Sequence, residues 1–131
     1  MTLPTYAPKE WWEHKAKVIK EDCNGCGSEL DLSGKLVPDT LYGLNIRNNC
    51  CCPHDFMYKY GITCLDKIFA DCMFLYNMVA TIINKGGWLM LPRLLRATKY
   101  FVAVVKYGET SFFNGKEISE RNEITFKGEF R

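Results

Sequence analysis

Asn49-Cys50-Cys51-Cys52-Pro53-His54-Asp55-Phe56-Met57-Tyr58 decides how this chain is read. The stretch holds three adjacent cysteines, one of the chain's 2 histidines, and a carboxylate beside that histidine. Ionisable side chains are rarely buried without partners, so the cluster marks a site rather than plain core. Proline breaks a helix interior but is tolerated in a first turn. A helix over residues 49–60, regular from about Cys51 or Cys52, therefore accommodates Pro53, and Gly61 ends it.

Residues four apart share a helix face. Cys50, His54 and Tyr58 fall on one face, Cys51 and Asp55 on a neighbouring one. Thr63 is a good N-cap for the next helix, with Asp66 at the capping-box position. Leu65, Ile68, Phe69, Cys72, Met73 and Leu75 open a run of helical spacing that reaches about residue 84. A short turn at Gly61 folds this helix back antiparallel. That register sets Tyr58 opposite Ile62, His54 opposite Asp66, and Cys50 opposite Cys72. A carboxylate on one imidazole nitrogen fixes the tautomer and leaves the other nitrogen as a base able to activate water. Asp71 reads as a solvated acid.

Further out, residues 1–8 form an irregular lead broken by Pro4 and Pro8. Residues 9–20 read as a first helix. Trp11 and Trp12 are adjacent and cannot both face one core stripe. Either one is buried and one half exposed, or the pair anchors at a membrane interface. His14 sits among charges and reads as solvated. Residues 21–49 are a long connection rich in Gly, Ser, Asp, Asn and Pro, and such loops are usually functional. Lys85-Gly86-Gly87 breaks the third helix. Residues 88–106 read as a further helix, offset at Pro92. It reads first as an amphipathic core helix, and its Arg93, Arg96 and Lys99 could also meet anionic lipid. Asn114-Gly115 between short apolar runs over residues 111–118 signals a β-hairpin, and residues 123–130 could add a strand.

The whole chain sets bounds. Its 131 residues make one domain, 47% apolar and 24% charged, hence globular. A net charge of +2 is too weak to argue for nucleic acid. Seven cysteines imply disulfides or a metal site. Cysteine content points to a secreted or extracytoplasmic setting, although residues 1–20 lack a secretory h-region, so the chain is either mature or exported by another route. Pro92, Arg93, Arg96 and Lys99 interrupt the most apolar region, so no run reaches membrane-spanning length.

Taken together, these residues resemble the secreted phospholipase A2 superfamily, and within it the short bacterial and fungal members. The matching pieces are Cys26 in a glycine loop, Pro38-Asp39 with Gly43 downstream, the 50–58 stretch, and Leu65-Asp66-Lys67-Ile68-Phe69-Ala70-Asp71. The family pattern is a cysteine three residues before His-Asp and a tyrosine four after the histidine; Cys51 and Tyr58 satisfy it. The resemblance covers about residues 22–76.

It implies the following roles. His54 is the general base that draws a proton from water, Asp66 orients it, and Tyr58 hydrogen-bonds that carboxylate. Asp55 is the calcium carboxylate, completed by carbonyls near Gly25 and Gly27, with the Asn24 side chain as a further ligand. Ca2+ polarises the sn-2 ester carbonyl at a phospholipid membrane surface. The family's disulfides map to Cys26–Cys51 and Cys50–Cys72. Asn24 departs from the aspartate common in the bacterial relatives, which removes a negative charge. The segment after about residue 84 carries no resemblance.

The expected architecture is mainly α-helical: one phospholipase A2-like domain over 1–131, with a core of two antiparallel helices in 22–84, a calcium loop, extra helices, and a small β-hairpin in an 85–131 extension. The expected function is calcium-dependent hydrolysis of the sn-2 ester of glycerophospholipids, releasing fatty acid and lysophospholipid. Two rivals stand beside it. One is a catalytically weak or inactive membrane-binding module on the same fold. The other is a zinc module built on Cys23, Cys26, the 50–52 cysteines and His54. Adjacent helical cysteines diverge by about 100°, which counts against zinc.

Overall fold

The computed structural model describes residues 3–13, 15–17, 23, 40–113, 116–120 and 123–126. His14, Asn24, Gly25, Cys26, Gly27 and the Asn114-Gly115 turn lie outside the described residues. The protein is mainly helical with one small sheet. Helices α1 (Lys9–Glu13) and α2 (Lys15–Lys17) precede strands β1 (Thr40–Leu41) and β2 (Leu44–Asn45). A π-helical segment, Arg47–Cys51, leads directly into α3 (Cys52–Tyr60). Then come α4 (Cys64–Lys85), α5 (Met90–Tyr107) and α6 (Glu109–Phe113).

Local chemistry explains most of these boundaries. Pro53 sits in the first turn of α3, where its missing N–H is not needed. In the π segment, Cys51 N–H bonds Ile46 C=O at 3.0 Å, one residue beyond α-helical reach. At the start of α4, Thr63 Oγ1 accepts from Asp66 N–H at 3.1 Å and Asp66 Oδ2 accepts from Thr63 N–H at 3.0 Å. That is the expected capping box. Pro92 falls in the first turn of α5, so it offsets nothing.

Helix α4 is the centre of the molecule and carries core on two sides. Ile46, Cys50, Phe74, Met78, Ile82 and Ala97 belong to one cluster, toward α5 and the sheet. Trp11, Met57, Tyr58, Ala70, Phe112 and Phe126 belong to the other. Trp11 is buried and Trp12 half-buried, the first of the two expected arrangements.

Two expectations are corrected. The hairpin signal at 111–118 fails, because residues 111–113 are helical, the last turn of α6. Among the described residues the sheet lies instead at β1–β2, inside the stretch read as a long connection. Tyr42 and Gly43 both take positive φ, 47° and 85°, which is the two-residue hairpin turn whose twist matches the strands. Arg93 is not available to lipid. It is buried, and its guanidinium donates to Leu41 C=O and Tyr42 C=O, both at 3.0 Å, tying the hairpin to α5.

Candidate functional site

His54 lies on α3 and is buried. Its Nε2 is 2.8 Å from Asp71 Oδ1, on α4. The same oxygen accepts from Tyr58 Oη–H at 2.5 Å. The other carboxylate oxygen of Asp71 accepts from Lys67 Nζ at 2.8 Å, one turn back along α4. Burial disfavours the charge on Asp71, but hydrogen bonds and charge from His54, then those from Lys67 and Tyr58, outweigh it and hold the carboxyl below the usual range. An ionised Asp71 has no proton to give, so Nε2 of His54 is the donor. In the neutral form of the ring the lone pair is then on Nδ1, which has no hydrogen-bond partner among the described residues. The ring is fixed between Tyr58 and Phe74, with centroids at 4.1 and 4.8 Å. Behind Tyr58, the backbone of Gly108 passes so close that a Cβ there would lie 2.6 Å from the hydroxyl.

This geometry replaces the expected His54–Asp66 pair. Asp66 is fully buried, but its oxygens are taken by the N–H groups of Ile62 and Thr63 and by both N–H and hydroxyl of Thr125. Burial opposes its ionisation, and these donors more than offset that, so its pKa is lowered. It is a cap and a clasp for the C-terminal segment. The mistake is one of register. Residues 61–63 form an extended three-residue link rather than a tight turn at Gly61, so facing positions move further along α4. His54 is six residues in from the end of α3 at Tyr60, and Asp71 is seven in from the start of α4 at Cys64. Tyr58 keeps its expected task, on Asp71 instead of Asp66.

The chain matches no family model, no curated protein and no solved structure.

Of the cysteines, one pair that the sequence left unassigned is bridged, and one pair that the resemblance implies is not. Cys23 and Cys52 form a disulfide. Cys51 is also disulfide-bonded; its expected partner, Cys26, lies outside the described residues. Cys50 is free and buried, 3.5 Å from Thr81 Oγ1, and burial pushes its thiol up to about 12 against a lowering hydrogen bond from Thr81. Cys72 is free and exposed, so a Cys50–Cys72 bridge is absent. The same register shift accounts for it. Oxidised Cys23 and Cys52 offer no thiolate, which removes two of the sulfurs a zinc site would need.

Asp55 is half-buried beside the Cys23–Cys52 disulfide, with Oδ2 3.8 Å from Cys23 Sγ. That bridge anchors the chain next to Asp55 immediately before residues 24–27. The described residues contain no group of three or more metal-type side chains. A site using one carboxylate and backbone carbonyls would not need such a group, and Asp55 fits as its hard-oxygen donor. Asn24, Gly25 and Gly27, the other expected ligands, lie outside the described residues. Beyond Asp71, a cavity of about 410 Å³ is lined by Ile68, Phe101, Val105 and Phe113, with Lys67 and Asp71 in its wall.

Proposed function

We propose that the protein hydrolyses the sn-2 ester of glycerophospholipids in a calcium-dependent reaction, with His54 as general base and Asp71 as its orienting carboxylate. One observation carries the reading: a buried histidine, flanked by two tilted aromatic rings, whose Nε2 is held by a carboxylate while Nδ1 is left without a partner among the described residues. In the reaction, Nδ1 takes a proton from water as its oxygen adds to the ester carbonyl carbon. Asp71 stabilises the imidazolium so formed and keeps its own charge. Tyr58 and Lys67 fix the carboxylate against rotation. The proton on Nδ1 then passes to the leaving glycerol oxygen as the ester bond breaks, giving fatty acid and lysophospholipid. Asp55, with carbonyls near Gly25 and Gly27 and the Asn24 side chain, would hold calcium, which when bound supplies positive charge to polarise the ester carbonyl. The disulfide accords with an oxidising, extracytoplasmic setting.

The test is fatty-acid release from mixed phospholipid vesicles with calcium and with EGTA, for wild type and His54→Ala. Release that needs both calcium and His54 is the expected result. Retained release by a folded His54→Ala chain overturns the mechanism. Full release in EGTA overturns the metal assignment. No release by the wild type in either condition overturns hydrolysis and leaves a membrane-binding module.

A further inference from the structure

The outer face of α5 serves no purpose in the site. Along it, Leu91 and Leu95 are each 66% exposed and Val102 is 54% exposed. They share one side of the helix by the 3.6-residue repeat and span about 16 Å. Trp88, in the turn just before α5, is 88% exposed and extends the row by one step. The helix's other side is already buried, at Arg93, Ala97, Tyr100 and Val104. So α5 is apolar on both faces, and its exposed apolar face has no partner among the described residues. Single exposed leucines need no explanation, but an aligned row with a tryptophan at its head does.

Within α5 the charge along the row is one-sided. Lys99 and Lys106 lie on the same outer side, and Arg96 lies at its margin, over the Tyr42 ring at 4.4 Å. Residues 85–107 contain no acidic side chain at all. Apolar residues flanked within α5 by cations and no acid, with indole at one end, match the boundary between acyl chains and anionic head groups. A second copy of the chain fits poorly, since a two-fold contact would set these cations against themselves. No helix among the described residues is long and apolar enough to cross a membrane.

We infer that the outer face of α5, with Trp88 at its head, is a docking surface for anionic phospholipid membranes. The face lies flat on the lipid, with Trp88, Leu91, Leu95 and Val102 at the acyl boundary and Lys99 at phosphate level. The choice of a lipid partner rests on the proposed hydrolysis of phospholipids as well as on this charge pattern. Docking needs neither calcium nor His54.

The experiment is co-sedimentation with vesicles of phosphatidylcholine containing phosphatidylglycerol, and of phosphatidylcholine alone, in EGTA and in a His54→Ala background. The expected result is partition onto the anionic vesicles, reduced at least tenfold by Leu91→Glu/Leu95→Glu. Lys99→Gln should reduce it about fivefold on anionic vesicles and leave neutral ones unchanged. Partition unchanged by Leu91→Glu/Leu95→Glu overturns the assignment. So does a wild type that ignores vesicles but sediments as a dimer, with that variant monomeric. Because the assay reads neither calcium nor turnover, its failure differs from a failure of hydrolysis. That failure is read with otherwise wild-type His54 on a short-chain, monomeric phospholipid, which the α5 variants should cleave at the unaltered rate.

Discussion

Asp71 carries three donors on two oxygens, and that number sets what each substitution costs. Asp71→Asn keeps the shape but presents an amide to Nε2, favouring the wrong imidazole tautomer. The expected loss of hydrolysis is about a thousandfold or more, the scale a misoriented histidine costs in acyl transfer. It also strands the buried Lys67 cation, a penalty of about 3 kcal/mol or more. The double variant Lys67→Met/Asp71→Asn removes that cation, so its rate should stay low while its urea midpoint recovers. Recovery of both together would mean that Asp71 acts on stability alone. Asp66→Ala should show the opposite pattern: loss of about 2 kcal/mol from the cap and the Thr125 clasp, with hydrolysis by the folded fraction little changed. Thiols give an independent check of the same register. Cys64 and Cys72 are exposed and free, whereas Cys50 is buried with its thiol pushed up to about 12. Iodoacetamide followed by peptide mapping should mark Cys64 and Cys72 in the native protein, and Cys50 only after unfolding. Loss of both Cys50 and Cys72 from the labelled set after unfolding would indicate the bridge between them that the structure lacks.

At the scale of elements, the N-terminal lead is held to α4 by side-chain amides. Asn77 Oδ1 accepts from Tyr6 N–H at 2.8 Å and its Nδ2 donates to Tyr6 C=O at 2.9 Å. Two turns on, Asn84 does the same for Leu3, at 2.8 Å each way. An amide has one donor side and one acceptor side, so it can close a two-point pair with an extended backbone as a strand would. Asn77 is fully buried, whereas the Asn84 pair is exposed. Asn77→Leu should therefore cost about 3 kcal/mol, because it leaves two backbone groups unsatisfied, and Asn84→Leu under about 1 kcal/mol. Urea unfolding at constant slope reads both, and equal costs would contradict the burial argument. Elements with strong local chemistry were legible in the sequence: Pro53 at the head of α3, the Thr63–Asp66 box, and the apolar spacing along α4. What was illegible depended on geometry between elements. The hairpin at Tyr42-Gly43 hid because a tyrosine at positive φ is uncommon, while Asn114-Gly115 advertised a turn next to what is helix at residues 111–113. His54 and Tyr58, four residues apart on one helix, could be read together from their own spacing. Asp71 could not, because an extended link of three residues moved the partner helix by more than one turn.

Over the whole molecule, two buried carboxylates tie the helices together, and both are charged in the folded state. Asp71 joins α3 to α4 through His54 and Tyr58, and Asp66 joins the head of α4 to Thr125. Each has its pKa lowered, since its hydrogen-bond donors outweigh burial, which acts the other way. The sign follows from proton counting. Below the ordinary carboxylate range the unfolded chain takes up protons at these two positions before the folded chain does. Stability therefore falls as pH falls. Their contribution is complete above about pH 5 and drains away as pH drops through the lowered values, beginning near pH 4. The urea midpoint should accordingly be level near neutrality and decline steeply in acid. Asp66→Asn should start from a lower midpoint at neutral pH and lose less on acidification, because one of the two responsible carboxylates is gone. The cost at neutral pH comes from an amide facing four donors while able to accept through only one atom. A decline as steep as wild type in Asp66→Asn would place the acid sensitivity elsewhere. Then the charged state of Asp66 would not be what holds the C-terminal segment to the head of α4.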